Sequence, residues 1–205
     1  MTFRELISPL VGMILGPILG GSSIVLGNIL DFALGKPVVF DFLDFVPDLV
    51  SATVAGLAFT RHRKAAIGLP VVLLLWFSLD PISPRLTTLG GIAIPFLWMH
   101  MVAIGSLAIA VLFEGRGRLD RITPAFVGAV TFASTMSGHA AGSILFENVI
   151  FRLDGVIPSG GYSAFWTLVF YAYPLERVFY TVFGTVAAYS VLRVLPWRSR
   201  QHPID

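Results

Sequence analysis

The chain has 205 residues, of which 56% are hydrophobic and 13% charged, with a formal net charge of +2 and no cysteine. Its charges gather into short groups between long apolar runs, which is the composition of a multi-pass membrane protein and excludes an ordinary water-soluble domain. The small positive charge gives no reason to expect nucleic acid, since the basic residues sit at helix ends where anionic headgroups account for them. Without cysteine there is no disulfide, iron–sulfur cluster or thiol nucleophile.

The apolar runs predict an all-α membrane protein, a single integral domain over 1–205, built as a bundle of six transmembrane helices at 7–34, 45–60, 65–79, 89–113, 124–150 and 170–195. About 30 to 35 residues per span and loop leave no room for a separate soluble catalytic domain. The second and third runs are short: a helix of about 16 residues covers about 24 Å, so both must extend into their flanks or thin the bilayer. The N-terminal run reads as the first span rather than a secretory signal, because Glu5 follows Arg4 at once and no small-residue cleavage site is evident. Basic residues alternate along the chain. The groups at 61–64, 116–121 and 193–200, with Arg4, fall on one side, and Lys36, Arg85, Arg152 and Arg177 on the other. That asymmetry predicts a cell-membrane protein with both termini cytoplasmic. No repeat at a long period suggests two inverted halves.

The first span carries Gly12, Gly16 and Gly20 in "GMILGPILG", a ridge of small residues that lets another helix approach closely, either within the bundle or from a partner. At its outer end, "GNILDF" places Asn28 and Asp31 on adjacent turns, as loop-proximal residues or as part of a polar outer pocket. The following loop holds Asp41, Asp44 and Asp48, whose spacing lacks the glycine of a calcium-binding loop. His100, in the fourth span, stands alone and reads as structural.

In the fifth span Thr131, Thr135, His139, Ser143 and Glu147 recur at every fourth position, one slanting polar stripe on a helix. Such a stripe must face neighbouring helices or a wet cavity. His139, near mid-membrane, reads either as a neutral imidazole hydrogen-bonded across helices or as a ligand-contacting group; Glu147, near the outer surface, either as a binding carboxylate or as the partner of Arg152 or Arg177. The ridge beside the stripe, Ser134, Gly138 and Gly142, is small. In the last segment Pro174 predicts a break or kink. Trp166, Tyr171 and Tyr173 suit an outer aromatic belt or a wall that stacks a flat ligand. Glu176 and Arg177 point about 100° apart and need partners elsewhere.

No phosphate-binding loop, H-E-x-x-H or G-x-S-x-G motif is present, and the four histidines lie at scattered depths, so no catalytic residue, cofactor or metal site is expected. The roughly 12 Å axial gap between His139 and Glu147 disfavours the alternative of an intramembrane enzyme using them as acid and base on a lipid or isoprenoid; a purely structural bundle is a third reading. Six spans in about 200 residues, "GPILGGSSIVLGNILD" and the closing "YPLERVFYTVFGTVAAYSVLR" resemble the substrate-binding S-components of energy-coupling factor (ECF) transporters. The resemblance implies a vitamin- or micronutrient-binding subunit of an importer, energised by separate ATPases through a transmembrane coupling subunit. It implies a substrate pocket near the outer face, with Asp41 and Asp44 in a covering loop. Gly12, Gly16 and Gly20 would be the docking ridge; the substrate-contacting set expected from the polar and aromatic residues themselves is Asn28, Asp31, His139, Glu147, Trp166 and Arg177.

Overall fold

The computed structural model describes residues 3–60, 62–114 and 122–195. The protein is all-helical apart from one short hairpin: α1 (Phe3–Ala33), α2 (Val46–Phe59), α3 (Arg63–Leu79), β1 (Leu86–Leu89), β2 (Ile92–Pro95), α4 (Trp98–Glu114), α5 (Pro124–Leu145), a π-helical segment (Phe146–Leu153) and α6 (Gly161–Val194). Arg61, Arg116, Arg118, Arg121, Arg198 and Arg200, which carry most of the charge asymmetry, lie outside the described residues.

The run Arg4–Ala33 is long and apolar enough to cross a membrane by length and composition, yet it does not run straight. Gly16 takes φ 78° and ψ 178°, a backbone conformation that glycine adopts without penalty, and Pro17 restarts the helix at the position where its missing N–H costs nothing. The two limbs fold back on each other. Arg4 donates to Asn28 Oδ1 and pairs with Asp31, residues that a straight helix would hold about 36 to 40 Å away. A Cβ on Gly20 would lie 3.0 Å from the Gly12 Cα. The expected straight first span is therefore a helical hairpin, and its glycines do not form one continuous ridge. Gly12 presses on the Ala52 backbone of α2, Gly20 faces Gly12, Gly16 is the turn, and Gly56 of α2 crosses the tip at Gly16 and Pro17. Small residues here bring three backbones of the same chain into contact.

The chain after α3 differs from expectation too. Residues 86–95 leave the helix expected at 89–113 and pair as an antiparallel hairpin, Leu89 opposite Ile92, around Gly90 and Gly91 at φ 57° and 86°. Two central residues at positive φ are what a tight turn matched to strand twist demands. Tyr171 of α6 donates to the Thr88 carbonyl at 2.8 Å, which ties the hairpin to the bundle. α6 itself starts at Gly161, earlier than expected, and continues through Pro174 without ending. Its packing on both sides of that proline, through Trp166 and Phe170 before it and Arg177 and Tyr180 after it, keeps the helix continuous despite one lost hydrogen bond.

α5 is the central post. Thr123 caps it by accepting from the Phe126 N–H at 3.1 Å, Pro124 occupies the first turn, and two thirds of the helix is buried. At its start Phe126, Val127 and Val130 pack with Ala66, Leu107 and Leu192; at its far end Ile144 joins a cluster of Phe77, Phe96, Phe151, Trp166 and Phe170. The outside of the molecule inverts the usual pattern. Leu168, Tyr171, Leu175, Phe179, Val182 and Val186 recur at helical spacing along one exposed stripe of α6, while Asn28, Asp48, His100, His139, Glu147 and Arg177 are buried.

Candidate functional site

Between α5, α6 and the open end of the hairpin lies a cavity of about 380 Å³, within the range that holds small organic ligands. The polar stripe of α5 forms one wall. All five of its residues are buried, but only Thr135, His139 and Ser143 line the cavity. Thr131 faces Gly184 of α6. Glu147 lies just inside the π-helical segment, where the four-residue register of the stripe is lost. Across the cavity, Trp166, Val169, Tyr173 and Arg177 follow one another down a single face of α6. α2 supplies Asp48 and Ser51, α1 supplies Glu5, and Phe40 of the connecting loop completes the lining.

Gly138 and Gly142 let α2 approach this helix: a Cβ on Gly138 would lie 2.7 Å from the Pro47 carbonyl. Asp44 accepts backbone N–H groups from Val39 and Phe40 at 3.0 and 3.2 Å, which sets the loop that presents Phe40. Neither Asp41 nor Asp44 reaches the cavity; Asp44 acts on it through the loop.

Arg177 is 3% exposed and donates to Glu5 at 2.9 Å, with Glu176 at 3.7 Å. Its guanidinium lies 4.8 Å from the Tyr173 ring and 5.1 Å from that of Tyr180, which fixes its plane. The pairing of Arg177 with Glu147 expected from the sequence is thus replaced by one with Glu5, and the adjacent Glu176 is a second, longer partner. Glu147, 0% exposed, instead accepts the Ser83 hydroxyl at 2.7 and 2.8 Å. Arg152 pairs with Asp80 at 2.6 Å and donates to Asn148. Burial alone raises the Asp80 carboxyl, but the Arg152 hydrogen bond and charge and the Ile82 N–H outweigh it, so its pKa is held below the usual value.

Asn28 and Asp31, expected in an outer pocket with Glu147, meet Arg4 instead, and Asp31 also holds Lys36 at 2.6 Å. They buttress the cavity's floor without lining it. Asp48, which does line it, accepts from Ser8 at 3.0 Å. His139 has a neighbour that the sequence left isolated: His100 Nε2 and His139 Nδ1 are 3.1 Å apart, and the Tyr173 ring centroid sits 3.6 Å from that of His139. Of the six expected contacts, the structure brings together His139, Trp166 and Arg177, and adds Glu5, Asp48, Ser51 and Tyr173. Among the described residues, no three His, Cys, Asp or Glu side chains gather as a metal site would need.

Three of the lining residues keep a buried polar atom without a hydrogen-bond partner: Ser51 Oγ, Trp166 Nε1 and Arg177 Nε. A buried unsatisfied donor costs about 1 to 3 kcal/mol, so this wall is incomplete as it stands. Comparison with protein-family models, with curated proteins and with solved structures finds no match.

Proposed function

We propose that the chain is a membrane-embedded binding protein for a small organic solute, the substrate-binding subunit of a vitamin or micronutrient importer of the ECF type, energised by separate ATPases. The observation that carries this reading is a partly open, largely apolar cavity with unpartnered polar atoms in its wall, inside a shell whose exposed face is apolar. Lipid satisfies the shell, and a solute satisfies the donors. The intramembrane-enzyme alternative loses its constellation: Glu147 is outside the cavity that His139 lines and is held by Ser83.

The fold refines the expected topology. The limbs of α1, the 14-residue α2 and the 17-residue α3 and α4 rise about 20 to 25 Å each, short of a hydrocarbon core of about 30 Å, so their flanking loops complete the crossing or the bilayer thins around them. Arg63, Lys64 and Arg193, near the α2–α3 connection and the end of α6, mark the cytoplasmic side. Gly16 reverses α1, so Arg4 lies toward the opposite side, in place of the shared cytoplasmic location that the charges suggested. With the glycines of α1 committed to α2, the coupling subunit meets the outer faces of the limbs, where Leu15, Ile18 and Leu19 are exposed.

Mass spectrometry of the protein purified from its native membrane tests the reading. A small molecule retained in stoichiometric amount and lost from His139→Leu, together with co-purifying ATPase subunits, is the expected result. A protein that retains nothing and carries no solute when supplied with cell extract contradicts it.

A further inference from the structure

The three unpartnered atoms around the cavity can all donate: a hydroxyl on Ser51, which can also accept, and an indole N–H on Trp166 and a guanidinium N–H on Arg177, which can only donate. Each belongs to a residue no more than 3% exposed, so water at the surface does not relieve it. They stand at two levels. Trp166 and Arg177 are eleven residues apart on one face of α6, about 16 Å along the axis. Ser51 of α2 lies one turn beyond Asp48, which accepts from Ser8 near the open end of the hairpin. Between these levels Tyr173 of α6 presents its ring to the cavity, and at the Trp166 end Phe40, Phe146 and Phe165 line it, with Phe146 and Phe165 stacked on each other at 4.8 Å.

The charges around the floor cancel or lean negative. Arg4, Lys36 and Arg177 stand against Glu5, Asp31, Asp48 and Glu176, joined in ion pairs. Among the described residues around the floor, each of these cations has a carboxylate partner, which leaves none free for an anionic ligand. A cationic ligand whose polar atoms are donors would leave Trp166 Nε1 and Arg177 Nε unsatisfied, since only the Ser51 hydroxyl can turn to accept.

We infer that the solute is an uncharged, flat, ring-containing molecule with acceptor atoms toward both ends, of the cyclic-amide or heteroaromatic-carbonyl class. Its faces lie on the aromatic wall and its carbonyl or ring-nitrogen acceptors meet Trp166 Nε1 at one level and Arg177 Nε and Ser51 Oγ at the other. This inference rests on the cavity being a solute site, and it restricts what that solute is.

Four flat bicyclic probes of similar size test it by calorimetric titration of the purified protein: 1,5-naphthyridine-2,6-dione, which is neutral with a cyclic-amide carbonyl at each end; 2-naphthoate, an anion; N-methylquinolinium, a cation; and naphthalene, which has no acceptor. The dione binds most tightly. Trp166→Phe and Ser51→Ala, which remove one donor and keep the packing, and Arg177→Lys, which keeps the charge and removes Nε, each weaken it by about fivefold, the equivalent of one net hydrogen bond. Melting curves for the variants show that the fold survives, and Ser51→Ala serves if the other two do not fold. Tighter binding of the naphthoate or the quinolinium, naphthalene binding as well as the dione, or no binding by any of the four overturns the inference. The wider reading is judged separately, by whether any solute is retained on purification: a charged solute held there leaves a binding protein whose ligand class is not the one inferred.

Discussion

Glu147 and Asp48 are both buried carboxylates, and their partners give them different work. Among the described residues Glu147 accepts from Ser83, across the junction between the α3–β1 connection and the end of α5, so it latches two elements together. Glu147→Gln should cost about 1 to 3 kcal/mol of stability, the usual cost of a weakened buried hydrogen bond, while leaving solute retention unchanged; lost retention at unchanged melting temperature would return Glu147 to the binding site. Combined with Arg177→Lys, the two stability losses should add, because the residues share no partner. The neighbouring Asp80 gives a pH signature. Its folded pKa is depressed, so its contribution is present above the unfolded value of about 4 and is lost as pH falls through the lower folded value. Asp80→Asn should therefore flatten the acid arm of the stability profile, and a wild-type slope in the variant would show that the pair contributes nothing. The buried stripe was legible at this scale, since spacing by four needs only the sequence. The partners were not: Ser83, Glu5 and His100 meet Glu147, Arg177 and His139 across 64, 172 and 39 residues, and nothing local in the sequence announces such pairings.

At the scale of elements, α1 decides the architecture. A Gly-Pro pair inside an apolar run is compatible with a mild kink or with a full reversal, and only the fit of Gly12 and Gly56 against opposing backbone selects reversal. Any side chain at Gly12 must displace the Ala52 backbone, and one at Gly56 must displace the tip at Gly16 and Pro17. Gly56→Leu should accordingly destabilise by about 3 kcal/mol or more, whereas Gly27→Leu, with open space around the added atoms, should leave the melting temperature within a few degrees. Equal tolerance at both sites would mean that the hairpin does not form. Six helical elements were readable from apolar periodicity, although their ends moved. The β-hairpin did carry a local signal, two glycines between β-branched and apolar residues, which the surrounding hydropathy masked. The break that Pro174 allowed does not occur, because tertiary packing along α6 outweighs one missing hydrogen bond.

For the whole molecule, the distribution of polarity is the main clue to environment. Water-soluble helices bury their apolar face; here α6 exposes Leu168, Leu175 and Val186 and buries Arg177, and the central helix carries the polar stripe inward. A bilayer accounts for that inversion without an additional protein partner. The chain has no cysteine, so single introduced thiols report their surroundings cleanly. Leu175 is 79% exposed on the bare chain, and Ser159 is exposed in the connection before α6. On the proposed topology, in native membranes a water-soluble maleimide should modify Ser159→Cys from the non-cytoplasmic side, His62→Cys only after the membrane is opened, and Leu175→Cys not at all, since the proposal puts the apolar stripe of α6 in lipid. Labelling of Leu175→Cys as fast as Ser159→Cys would place that stripe in water and contradict a membrane-embedded binding protein.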